Sequence, residues 1–222
     1  MIHIENVYKI FNEGTPQAFE ALKAINFELQ GGETAIISGV SGSGKSTLLS
    51  LIAALDKPSR GKIVVEAELI SKLPDLHASA YRAKSIGFIF QHFNLLEALS
   101  VEENVMAPLI HSGLTLEVVK EMAKKSMQDA SILHKASQQV KELSGGEKQR
   151  CAIARALVAE PNLVICDEPT ANLDKANSLK FIEILQSLHA KGKTIIVATH
   201  DPLFETLPFI SRVIHMEDGS IV

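Results

Sequence analysis

The stretch that decides the fold is "TAIISGVSGSGKSTLLSLIAAL", residues 34–55. Its first five residues are typical of a buried strand, and the apolar run at its end predicts a helix. Between them, "GVSGSGKST" (39–47) satisfies the spacing G-x-x-x-x-G-K-[ST]. Glycines let such a loop wrap a phosphate chain closely, with backbone N–H groups pointing inward. The order of strand, loop and helix therefore predicts an α/β fold that binds nucleotide phosphates.

Each residue of this phosphate loop (Gly39–Thr47) is predicted to contact nucleotide. Lys45 is expected to reach the outer phosphates and act in catalysis, and the Ser46 hydroxyl is expected to bind Mg²⁺. The alternative is a glycine-rich turn that binds nothing, and it leaves the strand, the lysine and the helix without an explanation. The predicted nucleotide-binding residues of the loop are Gly39, Val40, Ser41, Gly42, Ser43, Gly44, Lys45, Ser46 and Thr47.

A second buried strand ends in two carboxylates. In "LVICDEPT" (163–170), four apolar residues precede Asp167 and Glu168. Ligands of open α/β sheets bind at the carboxyl ends of the strands. We therefore expect Asp167 to hold Mg²⁺, directly or through water, and Glu168 to accept a proton from an attacking water. The alternative is an acidic strand end that caps the next turn.

Two further polar residues follow buried strands. His200 follows "TIIVAT", and Gln91 follows "SIGFIF". We expect His200 to contact a terminal phosphate or orient the water, and the Gln91 amide to touch Mg²⁺ or the water. The following histidines are interpreted as ordinary structural residues: His3, His77, His111, His134, His189 and His215.

A second anion-binding turn is present in "LSGGEKQR", residues 143–150. No strand feeds this turn, so it is not expected to share the pocket of the phosphate loop. One interpretation is structural, because Ser144 and Glu147 have the spacing of a capping box at a helix start. The other is that the turn serves a neighbouring copy of the chain, with two chains arranged head to tail about a two-fold axis.

The remaining pattern places these motifs in one domain, residues 1–222. Alternating strands are predicted up to about residue 33, and "KIVVEAEL" (62–69) is a further predicted strand. Strand–helix alternation resumes after Pro161, with a helix predicted to start at Asp201–Pro202 and a hairpin with an Asp-Gly turn predicted in "RVIHMEDGSIV" (212–222). Between them, residues 92–160 read as helices, including a capping-box start at Ser100. The sequence therefore predicts a largely parallel α/β core, residues 1–91 and 161–222, interrupted by a helical subdomain.

Composition limits the function classes. The 222 residues are 46% hydrophobic and carry a net charge of −4, which argues against nucleic-acid binding. The opening "MIHIENVYKI" lacks the apolar region of a signal peptide, and no apolar run is long enough to cross a bilayer. A cytoplasmic protein that reaches a membrane only through a partner is expected. Cys151 and Cys166 form no metal or disulfide pattern and are predicted to be buried thiols.

The chain closely resembles the ATP-binding subunits of ABC transporters, and the resemblance covers essentially its whole length. Within that family, "ALDKPSRG" and "IGFIFQHFNLLEALSVEENVMAPL" look like the branch of lipoprotein-releasing and macrolide-export ATPases. The resemblance implies a P-loop NTPase core, with an N-terminal antiparallel β subdomain and an inserted helical subdomain. It rests on these motifs in this order: "GVSGSGKST", Gln91, "LSGGEKQR", "LVICDEPT", "ANLD" (171–174) and His200.

The resemblance also implies ATP and Mg²⁺ sandwiched in a dimer. "ANLD" would cross the dimer interface, and Gln91 would sense both the γ-phosphate and a membrane partner. By alignment of "YKIF", Phe11 would stack on adenine where the family more often has Tyr, and Tyr8 is the alternative. The residues expected to act on the nucleotide of the partner subunit are Ser144, Gly145, Gly146, Glu147 and Asp174.

The implied activity is hydrolysis of ATP to ADP and phosphate, coupled to a separate integral membrane permease for export or lipoprotein release. The partners would be a second copy or a related ATPase subunit, together with the permease, which residues 93–110 are predicted to dock. One alternative is an ATP-driven regulator of a membrane complex that transports nothing. Another is a P-loop small-molecule kinase, which leaves "LSGGEKQR" without a role. A DNA-repair ATPase would need a coiled-coil or zinc insert, and the chain has neither.

Overall fold

Strands and helices alternate along the chain much as the sequence predicts, in a computed structural model that describes residues 1–222. The chain divides into a first unit, residues 1–82 and 189–222, and a second unit, residues 83–188. The strands are β1 (Ile2–Phe11), β2 (Phe19–Leu29), β3 (Thr34–Ser38), β4 (Arg60–Val65), β5 (Glu68–Leu69), β6 (Ile86–Ile89), β7 (Leu163–Asp167), β8 (Thr194–Thr199), β9 (Arg212–Glu217) and β10 (Ser220–Ile221). The helices are α1 (Lys45–Ile52), α2 (Asp75–Ser85), α3 (Val101–Met106), α4 (Leu116–Asp129), α5 (Gly145–Leu157) and α6 (Lys175–Ala190). Short 3-10 turns occupy Ile70–Lys72, Ala107–Leu109, Leu133–Lys135, Val140–Glu142 and Pro202–Thr206.

Four strands of the first unit form an antiparallel sheet in the order β2-β1-β4-β5. Ile2 and Ile4 of β1 are buried on one face, as expected for alternate residues of a strand. A bulge at Asn6, where φ is 48°, adds one residue, so that Val7 is the next side chain to face inward. The antiparallel subdomain at the N-terminus is thus confirmed.

The parallel strands of the first unit centre on β3, which pairs with β8 on one side and β9 on the other. Ile36 and Ile37 of β3 are fully buried, and β8 is buried along its whole length. Continuous apolar runs of this kind are typical of parallel strands covered on both faces. The predicted terminal hairpin is also present, since β10 pairs with β9 through a turn at Asp218 and Gly219, with φ of 45° and 81°.

The second unit contains one parallel pair, β6 and β7, and the helices α3, α4 and α5, which pack on one another. Val105, Ala123 and Ile153 contribute fully or almost fully buried side chains from these three helices. The predicted helical subdomain (92–160) lies within this unit, and its boundaries stay a prediction. Cys151 and Cys166 are buried free thiols, and burial raises the pKa of Cys151 to about 12.

Helix α2 was not predicted. Its sequence, "DLHASAYRAKS", buries Ala78 and Tyr81 but leaves Leu76 80% exposed, so its apolar stripe is weak. Hydrogen bonds that depend on the tertiary fold hold it instead. The Tyr81 hydroxyl donates to Ile52 O at 3.4 Å, and the Arg82 guanidinium donates to Ala54 O at 2.6 Å.

Two other predictions differ from the structure. The predicted strand "KIVVEAEL" is two strands, β4 and β5, because Glu66 and Ala67 turn the chain with φ of 50° and 68°. Neither residue type is a usual turn former, so residue type alone does not predict this turn. The helix predicted at Asp201–Pro202 is a 3-10 turn, which Asp201 caps by accepting from Leu203 N at 2.9 Å. No helix combines the length and the hydropathy needed to cross a bilayer.

Candidate functional site

The phosphate loop joins β3 to α1 in the first unit. Gly44 is the N-cap of α1 with φ of 101°, and no side chain caps this helix end. The first N–H groups of a helix have no partner within the helix, and they attract anions. The start of α1 thus lies at the end of the phosphate loop, and contact of the loop with nucleotide phosphates stays a prediction.

The backbone of this loop is too crowded for side chains at two of its glycines. A Cβ on Gly39 would lie 2.3 Å from Met216 O, and one on Gly44 would lie 2.8 Å from Ala21 O. Gly44 also has a positive φ that disfavours other residues. These glycines thus let the main chain of the loop pack closely against β9 and β2.

Lys45 supplies the positive charge of the loop. The residue is 5% exposed, and its Nζ donates to Gly39 O at 2.7 Å and to Val40 O at 3.1 Å. The ammonium group is therefore held against the main chain of the loop. A main-chain cradle with a buried cation fits the outer phosphates of a nucleotide.

His200 lies at the same edge of the first unit as the phosphate loop. In the parallel pair of β3 and β8, Ser38 is opposite Thr199, so Gly39 and His200 leave the two strands at the same step. The main chain after His200 is fixed, because Asp201 N donates to Thr199 Oγ1 at 3.0 Å. The position agrees with the predicted role, which itself stays a prediction.

The predicted adenine-stacking residue, Phe11, ends β1. The residue is 39% exposed, with Lys9 Nζ 4.9 Å from the ring centroid. The strand register places Phe19 opposite Phe11, and Phe19 is 60% exposed. Two exposed aromatic rings on paired strands offer flat apolar surface to a base. The alternative, Tyr8, lies opposite Arg60 and is half-buried.

Gln91 and the two predicted carboxylates lie at neighbouring strand ends of the second unit. Ile89 of β6 is paired with Cys166 of β7, so Asp167 ends β7 beside the point where Gln91 follows β6. The Asn172 amide donates to Gln91 O at 3.1 Å. Glu168 has a φ of 43°, in the left-handed region that few residues with a side chain adopt.

The serine–glycine turn (Ser144–Glu147) forms a complete capping box at the start of α5. The Ser144 Oγ accepts from Glu147 N, and Glu147 Oε2 accepts from Ser144 N at 2.8 Å. These bonds to Ser144, with a smaller contribution from Lys135, lower the pKa of Glu147 to about 2. The structural interpretation of this turn, a capping box at a helix start, is therefore correct. The role of the turn in a dimer stays a prediction.

The same turn carries no side chain on its first two helical residues, Gly145 and Gly146. A Cβ on Gly145 would have space, with Asn172 O at 3.9 Å, whereas one on Gly146 would approach the Asn177 amide to 3.0 Å. Asn177 is held in turn by Asp174, whose Oδ1 accepts from Asn177 N at 2.8 Å. The serine–glycine turn and Asp174, both predicted to act across a dimer, therefore meet around Asn177 in the second unit.

The family model described as ABC transporter matches residues 22–171. The chain belongs to the ABC transporter family.

Individual relatives cover the whole chain. It is 38% identical over 222 residues to the lipoprotein-releasing system ATP-binding protein LolD of Pseudoalteromonas translucida, with 100% of this chain and 94% of that protein covered. It is 40% identical over 222 residues to the macrolide export ATP-binding/permease protein MacB of Campylobacter jejuni. That match covers 100% of this chain but 34% of the relative.

Solved structures agree on the fold. The dimeric structure of a post-hydrolysis state of the ATP-binding cassette MJ0796, bound to ADP and Pi, matches with a TM-score of 0.91 and 36% identity. The match covers 100% of this chain and 96% of that one. This chain is therefore an ABC ATPase, which binds ATP and hydrolyses it, on a P-loop NTPase fold.

The metal donors predicted for the ABC ATPase are a hydroxyl, an amide and a carboxylate, from Ser46, Gln91 and Asp167. The structure has no group of three or more His, Cys, Asp or Glu placed to hold a metal. Oxygen donors with a single carboxylate fit Mg²⁺, which usually completes its shell with water and substrate phosphates. The chemistry of the donor set is thus compatible with a magnesium ion that accompanies ATP.

The sequence assigned no individual role to four residues of the ABC ATPase that contact the predicted site residues or lie beside them. Phe19 is paired with Phe11, and Asn172 contacts Gln91. Gln149 follows the serine–glycine turn within "LSGGEKQR". The feature that could have indicated it is an amide on the face of α5 that otherwise carries apolar residues. Asn177 lies three residues after Asp174, a spacing at which side chains on a helix meet.

Proposed function

We propose that this ABC ATPase works as a closed dimer around two ATP molecules and drives a separate integral membrane permease. The names of LolD and MacB support a role in lipoprotein release or export, and the dimeric MJ0796 cassette supports the pairing. The second subunit is another copy or a related ATPase, and no nucleic acid takes part. The dimer sits at the cytoplasmic face of the cell membrane, where the permease holds it.

The chemistry is attack of water on the γ-phosphorus of ATP, with cleavage of the bond to the ADP oxygen. Glu168 accepts the proton of the attacking water, and His200 keeps water and phosphate in line. Lys45 and the amides of the phosphate loop spread the charge of the transferring group. Ser46, Gln91 and Asp167 hold Mg²⁺, which supplies further neutralisation of the phosphate charge.

A single observation carries the dimer: the bare helix start at Gly145 and Gly146. A helix of 13 residues begins there with no side chain on its first two residues, although the capping box already stabilises it. One nucleotide per chain does not need two anion-binding turns. The turn therefore completes the site of the partner subunit, with Ser144 and the two glycine amides on the γ-phosphate and Asp174 at the interface.

The γ-phosphate then binds more strongly to the closed dimer than to the open dimer. It contacts both subunits in the closed dimer and one in the open dimer, so ATP closes the pair and hydrolysis releases it. The permease docks on residues 93–110, which include α3. Arg155 supports the start of this stretch by donating to Phe93 O at 2.6 Å and to Asn94 O.

The experiment is the substitution Glu168→Gln. Removing one positioned general base costs about 10²–10⁴ in rate, so the variant should bind ATP, form the dimer and almost stop hydrolysing. Steady-state ATPase turnover and equilibrium ATP binding measure the two properties separately. Turnover above roughly a tenth of the wild-type value would refute Glu168 as the base.

A further inference from the structure

Gln149 joins the helix of the serine–glycine turn to the segment that carries Glu168. It lies on α5, five residues after Ser144, and is 3% exposed. Its Nε2 donates to Pro169 O at 2.9 Å, and its Oε1 meets no donor. The buried side chain is thus held by a single hydrogen bond, and the acceptor belongs to the residue directly after the proposed base.

Glu168 needs such a restraint because its backbone conformation is unfavourable for two reasons. Its φ of 43° lies in the left-handed region, where a side chain on Cβ is crowded. In addition, the ring of Pro169 favours an extended conformation for the residue before it. The turn bond from Ala171 N to Glu168 O, 3.2 Å long, is a further main-chain restraint on this corner. The hydrogen bond from Gln149 to Pro169 O therefore restrains the main chain directly beside Glu168, and with it the direction of the Glu168 side chain.

A second contact from the next residue of α5 fixes the far end of the same segment. The Arg150 guanidinium donates to Asn177 Oδ1 at 3.3 Å, and Asn177 Nδ2 donates to Asp174 Oδ1 at 3.1 Å. Adjacent residues of α5 thus hold residues 169 and 177. A shift at the start of α5 is passed to both ends of the segment between them.

We infer that Gln149 is a positioning residue for Glu168, which keeps the base aligned and couples it to the serine–glycine turn of its own subunit. The inference rests on the proposed function, because it takes Glu168 as the base and the turn as the partner's phosphate contact. The serine–glycine turn that engages the triphosphate of the partner subunit and the Gln149 amide that positions Glu168 lie on the same helix, α5. Each subunit thereby links the nucleotide that it completes to the nucleotide that it hydrolyses.

The test is Gln149→Met, which preserves length and apolar packing but donates no hydrogen bond. Because misplacement of a reacting group by about 1 Å can cost up to about 10²-fold, we expect turnover to fall between roughly ten- and hundred-fold. ATP affinity should stay within about threefold of wild type, and the dimer of the Glu168→Gln form should persist when Gln149→Met is added. A defect confined to turnover distinguishes positioning from a general loss of structure.

The matched control is Ser126→Ala. The Ser126 hydroxyl donates to Ala154 O at 2.7 Å, so this change also removes one buried hydrogen bond to α5. Its acceptor is four residues beyond Arg150, away from the Glu168 segment. We expect Ser126→Ala to lose about as much thermal stability as Gln149→Met. Its turnover should nevertheless stay within about twofold of the wild-type value.

A second variant keeps the inference testable if Gln149→Met folds poorly. In Gln149→Glu the side chain donates to Pro169 O only when it is protonated, and burial raises the pKa of such a carboxyl. Its turnover relative to wild type should therefore rise as the pH falls from about 8 to about 6. A ratio that is flat over this range contradicts the inference.

Two results would overturn the inference while leaving the proposed function in place. One is wild-type turnover in Gln149→Met beside an inactive Glu168→Gln. The other is a parallel loss of turnover and ATP affinity in Gln149→Met, which indicates a damaged fold. Substantial turnover in Glu168→Gln itself would remove the proposed base, and the inference would fall with it.

Discussion

Two helices of the second unit begin with the same local chemistry and have opposite surroundings. Ser100 caps α3 and Ser144 caps α5, and in each case a glutamate three residues later completes a capping box. At α3 the next amides are used within the fold, because Val101 N donates to Gln138 O at 3.0 Å and Glu102 N donates to Ala136 O at 2.9 Å.

At α5 the corresponding residues are Gly145 and Gly146, and the structure pairs neither of their N–H groups with a carbonyl. The charge differs as well, since α3 carries two acidic residues in its first turn and α5 carries one. A capping box therefore does not by itself indicate an anion site. What distinguishes α5 is that its box leaves the next two amides bare.

The largest expected effect comes from giving α5 the side chain that α3 has. Glu102 occupies the second helical position of α3, as Gly146 does in α5. Gly146→Glu places a carboxylate where the partner's phosphate is expected, and its Cβ also approaches the Asn177 amide to 3.0 Å. Because an electrostatic contact to the transferring group is typically worth about 10²–10³ in rate, we expect turnover to fall by that amount. Steady-state ATPase assays of Gly146→Glu and of Glu102→Gly measure the contrast, with the second variant expected near the wild-type rate. Equal losses in the two variants would remove the distinction between the helices.

A smaller effect is expected from removing the capping hydroxyls one at a time. Ser144→Ala and Ser100→Ala should each lower the free energy of unfolding by about 1 kcal/mol, because both delete an N-cap. Only Ser144→Ala should also lower turnover, by roughly tenfold, since its hydroxyl contacts a charged phosphate in the proposed dimer. Urea unfolding and ATPase assays on the same preparations separate the two effects. A similar drop in turnover for Ser100→Ala would show that stability alone explains the loss.

Gly145→Ala is expected to change thermal stability and turnover in opposite directions. The new Cβ has space within the chain, with its nearest contact at 3.9 Å, and Gly→Ala in a helix stabilises by about 0.5–1 kcal/mol. We expect an unchanged or raised thermal midpoint together with turnover reduced roughly threefold to tenfold, because the methyl group meets the partner's nucleotide. A gain in stability without any loss of turnover would contradict the contact across the dimer.

The smallest expected effect is on the stability of the fold at acidic pH. The pKa of Glu147 is about 2, and the bonds from Ser100 lower the pKa of Glu103 in the same way. A carboxyl with a lowered folded-state pKa stabilises the fold above its unfolded value of about 4.3, and this stability is lost as the pH falls toward about 2. Glu147→Gln and Glu103→Gln should each flatten the decline of the unfolding midpoint over that range. An unaltered acid profile in both variants would mean that the boxes do not form in solution.

The sequence was sufficient for the features that depend on local pattern. The phosphate loop, the two capping boxes and the buried strands β3, β7 and β8 follow from spacing and apolar runs, and the structure contains them. These features are determined within a few residues of chain, so a single sequence carries their full signal.

What the sequence did not predict depends on distant contacts or on unusual backbone. Helix α2 relies on carbonyls of residues 52 and 54, and the left-handed φ of Glu168 has no local cause. The contact of Gln149 with Pro169 joins residues 20 apart in sequence. Such features arise when the elements pack, and residue type alone does not reveal them.

The most direct test of the account is the mass of the Glu168→Gln form in solution with saturating Mg·ATP, measured by sedimentation equilibrium. We predict the mass of two protomers, a return to one protomer when Ser144→Arg is added, and no such return with Ser100→Arg. A protein that stays at one protomer at high concentration, or a dimer that Ser144→Arg leaves intact, would contradict the claim that each chain completes the nucleotide site of its partner.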